Sequence, residues 1–188
     1  MNRRPTLGAR FAALALRLAG WKIILVPPPG PKFVAVVAPH TSNFDFWPGI
    51  FWRWATGTPA RWVAKSELFA FPIGLLLRAW GGIAVNRQAK GKFVDTAVAI
   101  IQREKEIVLA VAPEGTRGRA KHWKTGFYYM ALQAKVPIGI FSLDWGRKRL
   151  GIVGYILPTG DLGADLEEIR RLLDGASGYN PAKATPAS

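Results

Sequence analysis

The sequence predicts an α/β protein in which a mixed β-sheet is flanked by helices. Short apolar runs rich in β-branched residues alternate along the chain with longer segments of helical periodicity, and this alternation is typical of the α/β class. The chain has 188 residues, of which 49% are hydrophobic. It is therefore long enough to bury a core as a single domain and too apolar to be disordered.

The amino-terminal part of the chain predicts an amphipathic helix. Residues 7–18 are mostly apolar, but Arg10 and Arg17 interrupt them, so the apolar run is far shorter than the ~20 residues that span a bilayer. Such a helix suits the interface of a membrane, and it would equally suit packing on its own domain. Because the proline-rich residues 27–31 break the chain, we assign residues 1–26 to an amino-terminal membrane-contact helix.

The main α/β region is expected to span residues 33–174. Strands are predicted at residues 33–37, 61–65, 82–86, 107–112, 136–143 and 149–156, and helices at residues 46–54, 92–106, 127–134 and 161–173. Residues 68–80 are apolar but broken by Pro72 and Gly74, so they form either core or a second shallow membrane contact. The Ala-, Pro- and Ser-rich residues 175–188 predict a disordered tail.

The composition excludes several kinds of site. The chain has no cysteine, and its 2 histidines are His40 and His122. Disulfides, thiolate metal sites, a cysteine nucleophile and a His-rich metal site are therefore excluded.

The net charge of +14 predicts an anionic partner. Basic residues interleaved with Trp and Phe suit single-stranded nucleic acid. However, the basic residues are scattered along the chain, and no nucleic-acid-binding motif accompanies them. We therefore expect an anionic membrane surface as the partner and no nucleic acid. The expected location is peripheral or monotopic on the cytoplasmic face of a membrane.

The first candidate site lies at residues 38–45, between a predicted strand and a predicted helix. His40 and Asp45 are five residues apart, and on a continuous helix their side chains would point about 140° away from each other. A strand-to-helix turn would instead let Asp45 accept a hydrogen bond from one imidazole nitrogen, which leaves the other as a base. The alternative is an Asp that caps the helix and a His satisfied at the strand end.

The second candidate site, residues 113–117 (PEGTR), follows the predicted strand at residues 107–112. Ligands bind at the carboxyl ends of strands in α/β sheets. There Arg117 could bind a phosphate bidentately, and Gly115 would let the backbone come close. Both sites are expected near each other at one edge of the sheet.

Together, residues 40–45 (HTSNFD) and residues 113–117 resemble the paired signature of the glycerolipid acyltransferases, of the 1-acylglycerol-3-phosphate acyltransferase type. Weaker similarities lie at residues 65–68 (KSEL), 82–87 (GIAVNR) and 136–138 (VPI), and all the blocks keep the family's order. The sequence departs from the family at Pro39, where Asn is common, and after the last block, which lacks the usual second proline.

The resemblance implies a glycerol-3-phosphate acyltransferase-like α/β domain that moves an acyl group from acyl-CoA or acyl-carrier protein to the hydroxyl of a lysophospholipid. His40 would be the general base and Asp45 would orient it, with no covalent intermediate, no metal and no tightly bound cofactor. The substrate-binding residues would be Arg87, Glu114, Gly115, Thr116, Arg117 and Lys124. The alternatives are the same chemistry on a non-phosphate lysolipid, such as a lyso-aminolipid, and a non-catalytic basic protein that binds lipid or nucleic acid.

Overall fold

The computed structural model describes residues 6–85, 92–116 and 118–185. Within these ranges the strands are β1 (Lys22–Leu25), β2 (Lys32–Ala38), β3 (Ala60–Lys65), β4 (Gly82–Val85), β5 (Ile107–Val111), β6 (Ile138–Asp144) and β7 (Arg149–Ile156). The α-helices are α1 (Leu7–Leu18), α2 (Phe46–Thr56), α3 (Ile73–Ala79), α4 (Lys92–Arg103), α5 (Gly126–Ala134) and α6 (Leu162–Leu173).

The strands form one mixed sheet in the order β1-β7-β6-β2-β5-β3-β4. Strand β2 is parallel to both of its neighbours, β5 and β6, and β5, β3 and β4 continue the parallel arrangement. Strand β7 runs antiparallel to β6 and pairs in parallel with β1. The loops that follow β2, β5 and β6 therefore leave the sheet at the same edge, and the predicted mixed sheet flanked by helices is confirmed.

The sheet is buried on both faces. Successive side chains of a strand point to opposite faces, so β2 contributes Val34 and Val36 to one hydrophobic cluster and Phe33 and Ala35 to the other. Helices α4, α5 and α6 cover the first face, and α1 and α2 cover the second. Because apolar residues pack against both faces of β2, its carboxyl end is held in place, and so is the start of the loop that follows it.

The amino-terminal segment is more closely integrated than the sequence predicts. Residues 1–26 were expected to form a helix separate from the main region, yet Lys22–Leu25 is a strand of the same sheet. Helix α1 buries Leu16 in the cluster that contains Trp52. Its other face is apolar and exposed, with Leu7, Phe11, Leu14 and Leu18 between 54% and 84% accessible. One face of α1 thus packs on the domain, and the opposite face remains open for a partner.

The apolar segment at residues 68–80 likewise has both buried and exposed apolar side chains. Phe69 is buried, whereas Phe71, Ile73 and Leu75 are 85%, 62% and 66% exposed. Across the described part of the chain, no helix combines the length and the apolar character needed to cross a membrane.

The carboxyl-terminal segment differs from the disordered tail that its composition predicts. Residues 176–185, which we call the strap, run along the edge of the sheet where the two candidate sites lie. In the middle of the strap, Asn180 N–H donates to Thr41 Oγ1 at 3.0 Å. At its carboxyl-terminal end, Trp123 Nε1–H donates to the carbonyl oxygen of Thr185 at 2.9 Å. These hydrogen bonds to distant parts of the chain hold a segment that has little apolar character of its own.

Candidate active site

The turn after β2 is built around the carboxylate of Asp45. Asp45 Oδ2 accepts hydrogen bonds from the backbone N–H groups of Thr41 at 2.7 Å and Ser42 at 2.8 Å. Ser42 Oγ accepts one from Phe44 N–H at 3.1 Å, which completes a capping box over the 3₁₀ turn at Asn43–Asp45. These bonds reverse the chain within a few residues, so the side chain of Asp45 points back toward the end of β2.

The reversal brings His40 and Asp45 together. His40 Nδ1 lies 3.2 Å from Asp45 Oδ2, so Asp45 is both the helix cap and the partner of the histidine. The Asp45 side chain is 1% exposed, whereas that of His40 is 27% exposed. If Nδ1–H donates a hydrogen bond to the carboxylate, Nε2 carries the lone pair of the imidazole. A buried carboxylate behind an accessible imidazole suits a general base.

Trp145 is a partner of Asp45 that the sequence prediction missed. Its Nε1–H donates to Asp45 Oδ1 at 2.8 Å, on the carboxylate oxygen that the turn does not use. Trp145 directly follows β6, and β6 pairs with β2 in parallel up to Ala38↔Ser142. A residue just after a strand adjacent to β2 lies beside the residues just after β2, so the strand order, had it been predicted, would have indicated Trp145.

Glu114 joins the two candidate sites. Its Oε1 accepts a hydrogen bond from the backbone N–H of His40 at 2.7 Å, and the residue is 1% exposed. No described residue pairs with its buried Oε2. Burial raises the pKa of the Glu114 carboxyl to about 7. The Glu114 carboxyl is thus buried and bonded to the backbone of the His40 loop. The head-group role that the family resemblance implies for Glu114 stays a prediction.

Gly115 and Lys124 lie against each other beside Glu114. Gly115 has a φ of +66°, and a Cβ at this position would come within 2.8 Å of Lys124 Cδ and 3.1 Å of its Nζ. The Lys124 backbone N–H donates to the carbonyl oxygen of Pro113 at 2.8 Å. The positive φ therefore favours glycine at this position. The Lys124 side chain lies close to it and brings a positive charge to the second site.

Of the remaining predicted binding residues, Thr116 lies within the described part of the chain. Thr116 is exposed, and its Oγ1 accepts a hydrogen bond from Gly118 N–H at 3.3 Å. Arg87 and Arg117 lie outside the described residues, so their phosphate contacts stay predictions. Within residues 6–85, 92–116 and 118–185, no His, Asp and Glu side chains cluster in a way that could hold a metal ion.

A family model described as Acyltransferase matches residues 28–140. The chain belongs to this acyltransferase family. The match includes both candidate sites, and it confirms the family resemblance inferred from the motifs.

Two curated relatives agree with this assignment. Human 1-acyl-sn-glycerol-3-phosphate acyltransferase beta is 34% identical over 82 residues, which cover 40% of this chain and 30% of that protein. The 1-acyl-sn-glycerol-3-phosphate acyltransferase of Salmonella typhimurium is 29% identical over 108 residues, which cover 54% of this chain and 43% of that protein. The chain thus spans less than half the length of these curated relatives.

A solved structure has the same fold. The crystal structure of the 1-acyl-sn-glycerophosphate (LPA) acyltransferase PlsC from Thermotoga maritima superposes with a TM-score of 0.60 at 18% identity. The alignment covers 89% of this chain and 74% of that one. The fold is therefore shared over most of this chain.

Proposed function

We propose that this protein transfers a fatty acyl group from a thioester donor, acyl-CoA or acyl-carrier protein, to the free hydroxyl of 1-acylglycerol-3-phosphate or a related lysophospholipid. The observation that carries the proposal is the buried Asp45 carboxylate, 3.2 Å from Nδ1 of the accessible His40. Membership of the acyltransferase family supports the reaction class, and the names of the curated relatives support the acceptor.

In the proposed mechanism, His40 Nε2 removes the proton of the acceptor hydroxyl as its oxygen attacks the thioester carbonyl carbon. Asp45 stabilises the imidazolium that forms. When the tetrahedral intermediate collapses, the carbon–sulfur bond breaks and the imidazolium returns the proton to the leaving sulfur. A positioned base of this kind contributes about 10²- to 10⁴-fold to a rate.

Direct transfer to the acceptor, without an acyl-enzyme, agrees with the surroundings of the nearby hydroxyl groups. The chain has no cysteine. Ser42 Oγ accepts from Phe44 N–H, Thr41 Oγ1 accepts from Asn180 N–H, and both residues are at least 91% buried, with exposures of 9% and 1%. Because the Ser42 hydroxyl is buried in the turn and the Thr41 hydroxyl is buried against the strap, the acceptor hydroxyl is the better nucleophile.

The acceptor's phosphate is assigned to the second site. Lys124 brings its ammonium group beside Gly115, and Arg117 and Arg87 are the guanidinium groups that the motifs predict for this role. Arginine and lysine are the side chains that proteins use to bind phosphate. A phosphate held here would bring the hydroxyl of the same glycerol unit toward His40.

We further propose that the protein associates with membranes through an apolar surface. This surface comprises the exposed residues Leu7, Phe11, Leu14 and Leu18 of α1 and Phe71, Ile73, Leu75 and Leu76 of the α3 region. Ring contacts join α1 through α2 to the end of α3, namely Phe11–Phe51 at 6.4 Å, Phe51–Trp54 at 5.5 Å and Trp54–Trp80 at 6.0 Å. Exposed apolar side chains on two helices of a protein of net charge +14 suit an anionic membrane surface.

Lipid mass spectrometry tests the proposed reaction. Purified protein is incubated in detergent with a lysolipid panel (1-acylglycerol-3-phosphate, a zwitterionic lysophospholipid and a lyso-aminolipid) and with acyl-CoA or acyl-carrier protein. We expect phosphatidic acid from 1-acylglycerol-3-phosphate, and no product from the His40→Ala variant. Product from the lyso-aminolipid alone would overturn the assigned acceptor, and no product with either donor would overturn the reaction.

A further inference from the structure

The indole of Trp145 is held in place from several sides. Its ring makes edge-to-face contacts with Trp21 at 4.9 Å and with Tyr179 at 4.8 Å. The Lys148 Nζ lies 4.6 Å from the centre of the ring. Because aromatic and cation–π contacts depend on ring orientation, this packing fixes the direction in which the indole N–H points, which is toward Asp45 Oδ1.

The strap supplies one side of this packing and also bonds the backbone of Trp145. Ser177 O accepts a hydrogen bond from Trp145 N–H at 2.8 Å, and the ring of Tyr179 contacts Phe44 at 5.3 Å as well as Trp145. The strap therefore touches the His40–Asp45 turn both directly, through Phe44, and indirectly, through Trp145.

The strap adds little to the two hydrophobic clusters. Among the described residues, neither cluster contains a residue beyond Leu173. The contacts of the strap are instead made with the loops at the edge of the sheet that carries both sites, at Thr41 and at Ala120, whose N–H donates to Thr185 Oγ1 at 2.9 Å. Its placement fits a part in the arrangement of the site better than a part in the core.

We propose that Trp145 is a positioning residue for Asp45, and that the strap holds Trp145 in the orientation that this requires. The inference rests on the proposed function, since it adds to the His40–Asp45 base. With Oδ1 held by Trp145 and Oδ2 by the turn, the carboxylate plane cannot rotate, and His40 meets an oxygen in a constant position. Trp145 touches neither the reacting atoms nor the substrates in this mechanism.

The first test compares two matched Trp→Phe substitutions. Trp145→Phe keeps a ring but loses the N–H donated to Asp45, and Trp62→Phe loses an indole N–H that donates to the carbonyl oxygen of Trp80 at 3.1 Å. A hydrogen bond to a charged group is strong enough that its loss should lower kcat by about 10- to 100-fold. We expect this loss in Trp145→Phe, with unchanged KM for donor and acceptor, and a normal kcat in Trp62→Phe.

A double-mutant cycle asks whether Trp145 acts through Asp45. In the Asp45→Ala background, Trp145→Phe should cost no further rate, because the group that it positions is gone. The same fold loss in both backgrounds would overturn the proposal. A raised KM with normal kcat would also overturn it, because that result would make Trp145 a substrate contact.

The part played by the strap has a readout that is independent of activity. With ¹⁵N-labelled tryptophan, the indole signal that is missing from Trp145→Phe identifies Trp145. Hydrogen exchange of this indole N–H should be faster in Tyr179→Ala and unchanged in Tyr179→Phe, which keeps the ring. Equal exchange in all three proteins would contradict a holding role for the strap.

The acyl-transfer function and the positioning role of Trp145 are separated by different results. Wild-type protein that shows no His40-dependent transfer would overturn the proposed function, and the positioning role with it. Active, His40-dependent wild-type protein together with a fully active Trp145→Phe variant would overturn the positioning role alone.

Discussion

At the residue scale, Asp45 combines a structural and a chemical task in one carboxylate. Its oxygens accept from Thr41 N–H, Ser42 N–H and Trp145 Nε1–H, and Oδ2 lies beside His40 Nδ1. A capping carboxylate and a histidine-orienting carboxylate appeared to be alternatives in the sequence. The turn allows both, because the cap bonds and the imidazole approach Oδ2 from the same short loop.

Asp45→Asn should therefore cost both stability and rate. An amide cannot accept from every donor that the carboxylate bonds and cannot stabilise an imidazolium, so we expect kcat to fall by at least about 10²-fold. Loss of a cap costs about 1 kcal/mol of unfolding free energy. Acyl-transfer kinetics of wild type and variant measure the change in kcat, and urea unfolding measures the change in the free energy of unfolding.

Asp165→Asn is the matched control for this prediction. Asp165 is also buried, at 6% exposure, and accepts from Tyr128 OH at 2.7 Å and Thr159 N–H at 2.8 Å. We expect it to lose stability but not kcat. Equal losses of kcat in the two variants would mean that Asp45 has only a structural role.

Glu114 predicts a pH dependence of stability. Its carboxyl pKa is raised from 4.5 to about 7 by burial, so the folded protein keeps a proton that the unfolded chain releases. The stabilising contribution is complete below the unfolded pKa and is lost as the pH rises through about 7, by up to about 3 kcal/mol. Glu114→Gln, which stays neutral, should remove this loss between about pH 5 and pH 8.

Urea unfolding at several pH values measures the effect directly. Glu106→Gln, at an exposed position, serves as the control and should follow the wild-type trend. If wild type and Glu114→Gln lost stability in parallel as the pH rises, Glu114 would be ionised throughout and its neutral state in the folded protein would be disproved.

At the element scale, the position of the strap depends on the close contact between Gly178 and the Thr41 side chain. A Cβ at Gly178 would lie 2.7 Å from Thr41 Oγ1 and 2.8 Å from Thr41 Cγ2. Gly178→Ala should therefore push the strap away from the turn, speed proteolysis within residues 176–185 and lower kcat. At Gly30, no described atom lies within 4 Å of such a Cβ, so Gly30→Ala should behave like wild type. Identical proteolysis of both variants would show that the contact between Gly178 and Thr41 does not hold the strap in place.

The elements that the sequence predicts well are those with a strong local pattern. Strand β2 and strand β5 are continuous apolar runs, and the meeting of His40 with Asp45 follows from the strand, turn and helix in series. Strand β1 has only 4 residues, and it forms by pairing with β7, which a local sequence pattern does not reveal. The strap was missed because its contacts, such as Asn180 to Thr41, join residues 139 positions apart, and local composition carries no signal of them.

At the scale of the whole molecule, charge and apolar surface predict how the protein meets a membrane. It should bind vesicles that contain anionic phospholipid, and added salt should weaken this binding because salt screens the charge of +14. Phe71, 85% exposed, lies on the apolar surface, whereas Leu157, 67% exposed, follows β7. In a vesicle sedimentation assay, Phe71→Ser should weaken binding by about tenfold or more, and Leu157→Ser should not.

Equal binding by the two variants would place the membrane contact elsewhere on the molecule. Binding that depends on charge alone, with the same salt dependence for both variants and for wild type, would likewise reject the apolar surface as the contact.

The most direct measurement is the rate of acyl transfer in two histidine variants. His122 is the other histidine of the chain, so His122→Ala controls for loss of an imidazole, and circular dichroism confirms that both variants fold. If His40 is the general base, His40→Ala lowers kcat by about 10²-fold or more, while His122→Ala keeps wild-type kcat. A His40→Ala variant that turns over at the wild-type rate would contradict the proposed mechanism.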